Sequence, residues 1–120
     1  MADTLDRATL AELLAAVGDD PAFVGELVDT YLADAPGQLE AIDAAIASGS
    51  AEELVRPAHT LKGNSLNLGA LELAEIARSL EMAARAGMLD GAAAGAAAAR
   101  AELGRVRTAL EAARAAGWRA

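Results

Sequence analysis

Ser50-Ala51-Glu52-Glu53-Leu54-Val55-Arg56-Pro57-Ala58-His59-Thr60-Leu61-Lys62-Gly63-Asn64-Ser65-Leu66-Asn67-Leu68 decides how the chain is to be read. Ser50 with Glu53 three positions later has the spacing of a capping box, which marks a helix start. From there Leu54, Ala58, Leu61, Ser65 and Leu68 recur at steps of four and three, so they line one face of a helix. His59, the single histidine of the chain, lies about 100° round from Ala58 and further still from the centre of that stripe, which turns it toward solvent. Lys62 sits on the flank and Gly63 points outward. A glycine in a helix interior costs roughly 1 kcal/mol relative to alanine, so an exposed one beside the only histidine asks for a reason. Pro57 removes a hydrogen bond to Glu53, at about 3 kcal/mol, and predicts a kink or a broken turn just before His59.

The same periodicity extends outward in both directions. Thr9-Leu10-Ala11-Glu12 has capping-box spacing, and Leu10, Leu13, Leu14 and Val17 follow at helical intervals up to Gly18. Asp20 reads as an N-cap with Pro21 in the first helical position. Phe23, Val24, Leu27, Val28, Tyr31 and Leu32 then form a broad apolar face. Pro36-Gly37 is expected to kink that helix or to open a third, whose stripe is Leu39, Ile42 and Ile46. Gly69 stops the His59 helix, and Leu73, Ile76, Ala77, Leu80 and Ala84 stripe the next, with Glu81 on the stripe's edge. Gly87 closes it and Asp90 is the expected cap of the last. There Leu89, Ala92, Ala96, Ala99, Leu103, Val106, Leu110 and Ala113 step by three and four. No segment alternates with period two. The expectation is an all-α fold: an antiparallel four-helix bundle with one or two additional short helices at the N-terminus. Residues 1–120 form one domain in this reading, with the bundle core at about 20–116 and a capping helix within 1–18.

Composition agrees and narrows the function. Hydrophobic residues reach 54% but aromatics only 2%, a balance that suits helices packed through alanine better than sheets. A net charge of −8 disfavours nucleic acid and anionic membrane as partners. Without cysteine there is no disulfide framework and no thiol chemistry. The first residues lack the basic start and apolar core of a signal peptide, and Ala92–Ala99, interrupted by Gly95, is too short to span a bilayer. A cytoplasmic protein is expected. The initial methionine and the full set of helices favour a free-standing protein over a piece of a larger kinase.

A lone exposed histidine excludes several chemistries. A di-metal bundle needs repeated Glu-x-x-His pairs, and Arg56 stands three before His59. A hydrolase would need a nucleophile, and Ser65 falls on the buried face. The His-Glu-Leu-Arg-x-Pro type pattern of sensor-kinase dimerisation helices is absent. An imidazole can instead attack an acyl phosphate without a separate strong base. Lys62 would offset phosphoryl charge as a point cation, and the bare Gly63 would admit a partner's backbone. A carboxylate at Nδ1 would fix the tautomer.

The pattern Ala-His-Thr-Leu-Lys-Gly-Asn-Ser-x-Asn-Leu-Gly, together with Leu5-Asp6, Phe23 through Pro36, and Leu80-Glu81, resembles the histidine-containing phosphotransfer (HPt) family of phosphorelays. The resemblance implies that His59 accepts a phosphoryl group and exchanges it with aspartates of response-regulator receiver domains. It also implies a basic residue at Lys62, glycine at Gly63, and a histidine-bound glutamine or glutamate at Glu81. The implied partners are receivers and a (hybrid) sensor histidine kinase, met by a monomeric carrier without kinase activity of its own. No cofactor is expected, because magnesium would come on the receiver. Helix geometry adds Leu66 and Arg56 to the docking patch. Two alternatives stay open: a kinase-substrate domain of the chemotaxis type, and a helical module that docks without being phosphorylated.

Overall fold

The computed structural model describes residues 4–118. Five helices follow one another: α1 (Arg7–Ala16), α2 (Pro21–Ser48), α3 (Ala51–Asn67), α4 (Leu71–Arg85) and α5 (Ala92–Ala115), with no strand among the described residues. α2, α3, α4 and α5 each pack on the next, and α5 closes the ring against α2. The short connections make sequential neighbours antiparallel. α2 has 28 residues, about 42 Å of helix, so it runs nearly the full 44 Å long axis of the molecule. α1 touches the four-helix ring lightly and lies across one end.

The core is the one the heptad-like spacing marks out. Val24, Val28, Leu32, Leu39 and Ile42 of α2 meet Leu54, Ala58 and Leu61 of α3, Leu73, Ala77 and Leu80 of α4, and Ala99, Leu103, Val106 and Leu110 of α5 in one buried cluster. Phe23 and Leu27 depart from the expected apolar face and stay 45% and 36% exposed. A buried hydrogen bond at 2.9 Å joins the Tyr31 and Ser65 hydroxyls across α2 and α3. Burial pushes the Tyr31 phenol up, more than its bond to Ser65 lowers it. Trp118, not singled out in the sequence, is buried and donates Nε1–H to the Pro21 carbonyl at 3.0 Å.

Two local expectations are corrected, and at two prolines the alternative of a helix break falls away. Pro36 neither ends α2 nor starts a new helix, since Pro21–Ser48 is continuous. Nor does Pro57 break a turn, since α3 is helical from Ala51 to Asn67. In both places buried side chains stand on either side of the proline (Leu32, Ala35 and Leu39; Leu54, Ala58 and Leu61). Their burial, about 1.5–3 kcal/mol for each large side chain, outweighs the lost hydrogen bond. The Thr9 capping box does not form. α1 begins earlier, after Asp6, whose N–H donates to the Gly69 carbonyl at 2.8 Å while Thr9 donates its hydroxyl proton to the Asp6 carboxylate. Asp90 does not cap α5, which starts behind Gly91 in a left-handed conformation without a side-chain cap. Of the other caps, the one at Asp20 stands as read and the Ser50 box forms by half, the Ser50 N–H going to the Ala45 carbonyl rather than to Glu53. Asp20 accepts from the N–H groups of Ala22 and Phe23, and Ser50 accepts from that of Glu53.

The link between Asp6 and Gly69 ties α1 to the α3–α4 turn. Gly69 has φ +77°, and a Cβ there would fall 2.8 Å from the Asp6 carbonyl oxygen. Gly49 has φ +71° but nothing within 4 Å of such a Cβ. Gly49→Ala therefore bears only the left-handed backbone penalty, about 1 kcal/mol. Gly69→Ala bears the penalty and the clash, and should lose about 2 kcal/mol or more in urea unfolding. Equal losses in the two variants would mean that α1 is not held at this point.

Candidate functional site

The α3 register that buries Ala58, Leu61 and Ser65 leaves His59 outside, with 59% of its side chain exposed. Its ring is nevertheless held. Nδ1 lies 2.9 Å from Glu81 Oε2 on the neighbouring helix α4. Glu81 is more than an edge residue of its stripe, because its side chain is only 6% exposed. Two cations join the imidazole around it. Lys62 Nζ is 2.8 Å from Oε1, at ion-pair distance but off the angle of a hydrogen bond. Arg85, one turn further along α4, donates Nε–H and Nη2–H to Oε2 at 3.0 and 2.8 Å. Glu81 is hidden because long cationic side chains cover it, while the bundle axis beneath is filled by Leu61, Ala77 and Leu80.

The electrostatics follow from that cover. The Lys62 ammonium, then Arg85 and His59, hold the Glu81 carboxyl down at about 2, against the opposing effect of burial. An ionised carboxylate only accepts, so Nδ1–H of His59 is the donor. In the neutral ring the lone pair then sits on Nε2. The arrangement is an oriented nucleophile with a cation beside it.

Each residue read from the sequence finds a definite place. Gly63 follows His59 by four positions on the same face, and a Cβ on it would meet nothing within 4 Å. Leu66 continues that face and is 47% exposed. Arg56 is exposed on the preceding turn, where it and Arg85 line one shallow groove between α3 and α4 with Glu52 and Val55. Arg85 is the residue that sequence reading missed. Its signal was the Glu81-x-x-x-Arg85 spacing, which brings opposite charges together on successive helical turns. A separate groove lined by Leu13, Leu27, Tyr31, Asp34, Asn64 and Asn67 lies on the α2 side of α3, away from the imidazole.

Comparison with known proteins agrees with this geometry. The sequence matches the family model of the Hpt domain over residues 26–116. The chain belongs to the Hpt domain family. It is also similar to the crystal structure of histidine-containing phosphotransfer protein B (HptB) from Pseudomonas aeruginosa PAO1. The two are 35% identical with a TM-score of 0.84, over 95% of this chain and 96% of that one. No curated protein matches the sequence. Family and structural likeness together make this Hpt protein a histidine phosphotransfer protein of a phosphorelay, a class that works with kinases and response regulators. The Hpt match begins inside α2, so α1 lies outside it.

The Glu81 cluster makes stability depend on acid. The carboxyl is lowered in the fold from 4.5 to about 2, so its contribution is fully present above the unfolded value and is lost as pH falls through the folded one. Between about 4.5 and about 2 the native protein should lose more stability than Glu81→Gln, which has no proton to take up. Urea midpoints measured across that range would run parallel if the cluster contributed nothing.

Proposed function

We propose that His59 is the residue that accepts the phosphoryl group, through Nε2. The observation that carries this reading is the bond from Nδ1 to the buried, ionised Glu81, made by the only histidine of a phosphotransfer protein. In the forward step Nε2 attacks the phosphorus of an aspartyl phosphate on a receiver. The new N–P bond forms as the P–O bond breaks, and the electron pair leaves on the aspartate. Glu81 orients the ring and offsets the positive charge that develops on it. Lys62, which rests on Glu81 while the ring is free, supplies a cation for the phosphoryl oxygens.

Gly63 keeps the approach to Nε2 clear for the receiver's backbone, an idea supported by the open space around it. Leu66 and Arg56 provide an apolar and a cationic contact on either side. The expected partners are receiver domains and a hybrid sensor kinase, met in small, transient contacts. The whole of residues 1–120 acts as one monomeric Hpt domain in the cytoplasm, and among the described residues no helix is long and apolar enough to cross a membrane. The protein has no kinase activity of its own in this reading. Magnesium arrives with the receiver, and neither nucleic acid nor lipid takes part.

Incubation with a phosphorylated receiver tests the assignment. Label should appear as an acid-labile, alkali-stable phosphoryl group, and His59→Gln should take up none. Equal labelling of that variant would place the phosphoryl group elsewhere, and absence of label on the unmodified protein with every receiver and kinase would leave a docking module.

A further inference from the structure

His59 is held on two sides, by Glu81 at its ring and by whatever keeps α3 from turning beneath it. Apolar burial is a weak brake on such a turn, because it has no preferred direction. Past His59, α3 buries only Leu61 and Ser65. Before it, Pro57 gives no N–H to the Glu53 carbonyl, so the turn that leads into His59 is one hydrogen bond short. The directional contact is the one between the hydroxyls of Ser65 and Tyr31, 2.9 Å apart, on residues 0% and 5% exposed. Among the described residues it is the one buried side-chain bond between α2 and α3, since Ser48 and Glu53 meet at an exposed end. Burial first, then the Glu102 carboxylate of α5, pushes the Tyr31 phenol up. Both groups therefore stay neutral hydroxyls at neutral pH.

We propose that Tyr31 is a positioning residue of the phosphotransfer reaction: its hydroxyl holds Ser65, and with it the rotation of α3 that keeps Nδ1 of His59 on Glu81. The inference rests on the reading of His59 as the phosphoryl carrier. His59 Nδ1 and Lys62 Nζ meet the two oxygens of Glu81 at 2.9 and 2.8 Å. Both groups stand on the outside of α3. A turn of the helix by about 10° carries an atom about 6 Å from its axis through about 1 Å. That is enough to take either contact beyond hydrogen-bond length. The ring, with 59% of its side chain exposed, has little packing of its own to resist the movement.

Ser65 lies six positions past His59 on the same helix, so whatever fixes one fixes the rotation of the other. Without the Tyr31 hydroxyl, Ser65 turns its own onto the carbonyl four residues back, at Leu61, and the tie to α2 is gone. The neutral imidazole then spends less time as the Nδ1–H tautomer, and Nε2 presents its lone pair less often. Replacing the tyrosine by phenylalanine keeps the ring that packs between the helices and removes only the bond.

Three variants test the proposal: Tyr31→Phe, Ser65→Ala and the two together. With phosphoramidate as donor no docking surface enters, since its P–N bond breaks as the Nε2–P bond forms and ammonia leaves. Each variant should be phosphorylated roughly two- to fivefold more slowly, the range that one neutral hydrogen bond commands. In each, before phosphorylation, the ¹⁵N shifts of Nδ1 and Nε2 should draw together as the neutral ring divides between its tautomers. Stability should not follow these readouts. Ser65→Ala strands the buried phenol and should unfold at lower urea, whereas the double variant strands nothing and should regain most of the midpoint. It should regain neither the rate nor the ¹⁵N shifts. If rate and shifts return together with the midpoint, or move in none of the variants, the positioning role is overturned. If the shifts move but His59 takes no label even in the unmodified protein, the positioning of the ring stands and the carrier reading falls.

Discussion

The Glu81 carboxylate is where the fold and the chemistry of this Hpt protein meet. Taking a carboxylate out of water costs several kcal/mol unless charges and hydrogen bonds replace the lost hydration. Here one histidine, one lysine and one arginine supply them, two from α3 and one from α4. The acid therefore fastens the outer edges of the two helices together while fixing the ring of the single histidine. Removing one cation leaves the others to redistribute, so effects at this site should be coupled rather than additive.

That arrangement needs α3 to keep one rotation. Ala58 and Leu61 pack into the core, and the hydroxyl of Ser65 is held by Tyr31 of α2 at 2.9 Å. A turn of α3 by one residue would strand that buried hydroxyl pair and drive His59 toward the core. On the opposite side of the bundle, small residues set the spacing. A Cβ on Gly95 would lie 2.8 Å from Leu80 Cδ2, so glycine lets α5 close on α4 next to the residue that precedes Glu81. Ala92, Ala96 and Ala99 are buried along the same helix.

Much of this was legible in the residues themselves. The steps of three and four gave the bundle and nearly all of its core, because burial of one helical face dominates the energetics. At Pro36 and Pro57 the rule that a proline ends a helix lost to apolar contacts on both flanks. The Thr9 and Asp90 caps failed because α1 takes its start from a tertiary bond to Gly69, and α5 from a glycine turn. At the site, the motif itself points to His59, Lys62, Gly63 and Glu81, and the structure brings three of them into one cluster, with Gly63 beside it. The depth of Glu81 and the involvement of Arg85 were not legible, since both arise from side chains folding over a charge, which helical spacing does not encode.

The central claim is that Glu81 presents His59 as the Nδ1–H tautomer with the lone pair on Nε2. Because the chain has a single histidine, long-range ¹H–¹⁵N correlation of the imidazole reads this directly. The account predicts a protonated Nδ1 and a bare Nε2 in the neutral ring, with that preference weakened in Glu81→Gln. A neutral ring protonated at Nε2 in the unmodified protein would contradict it.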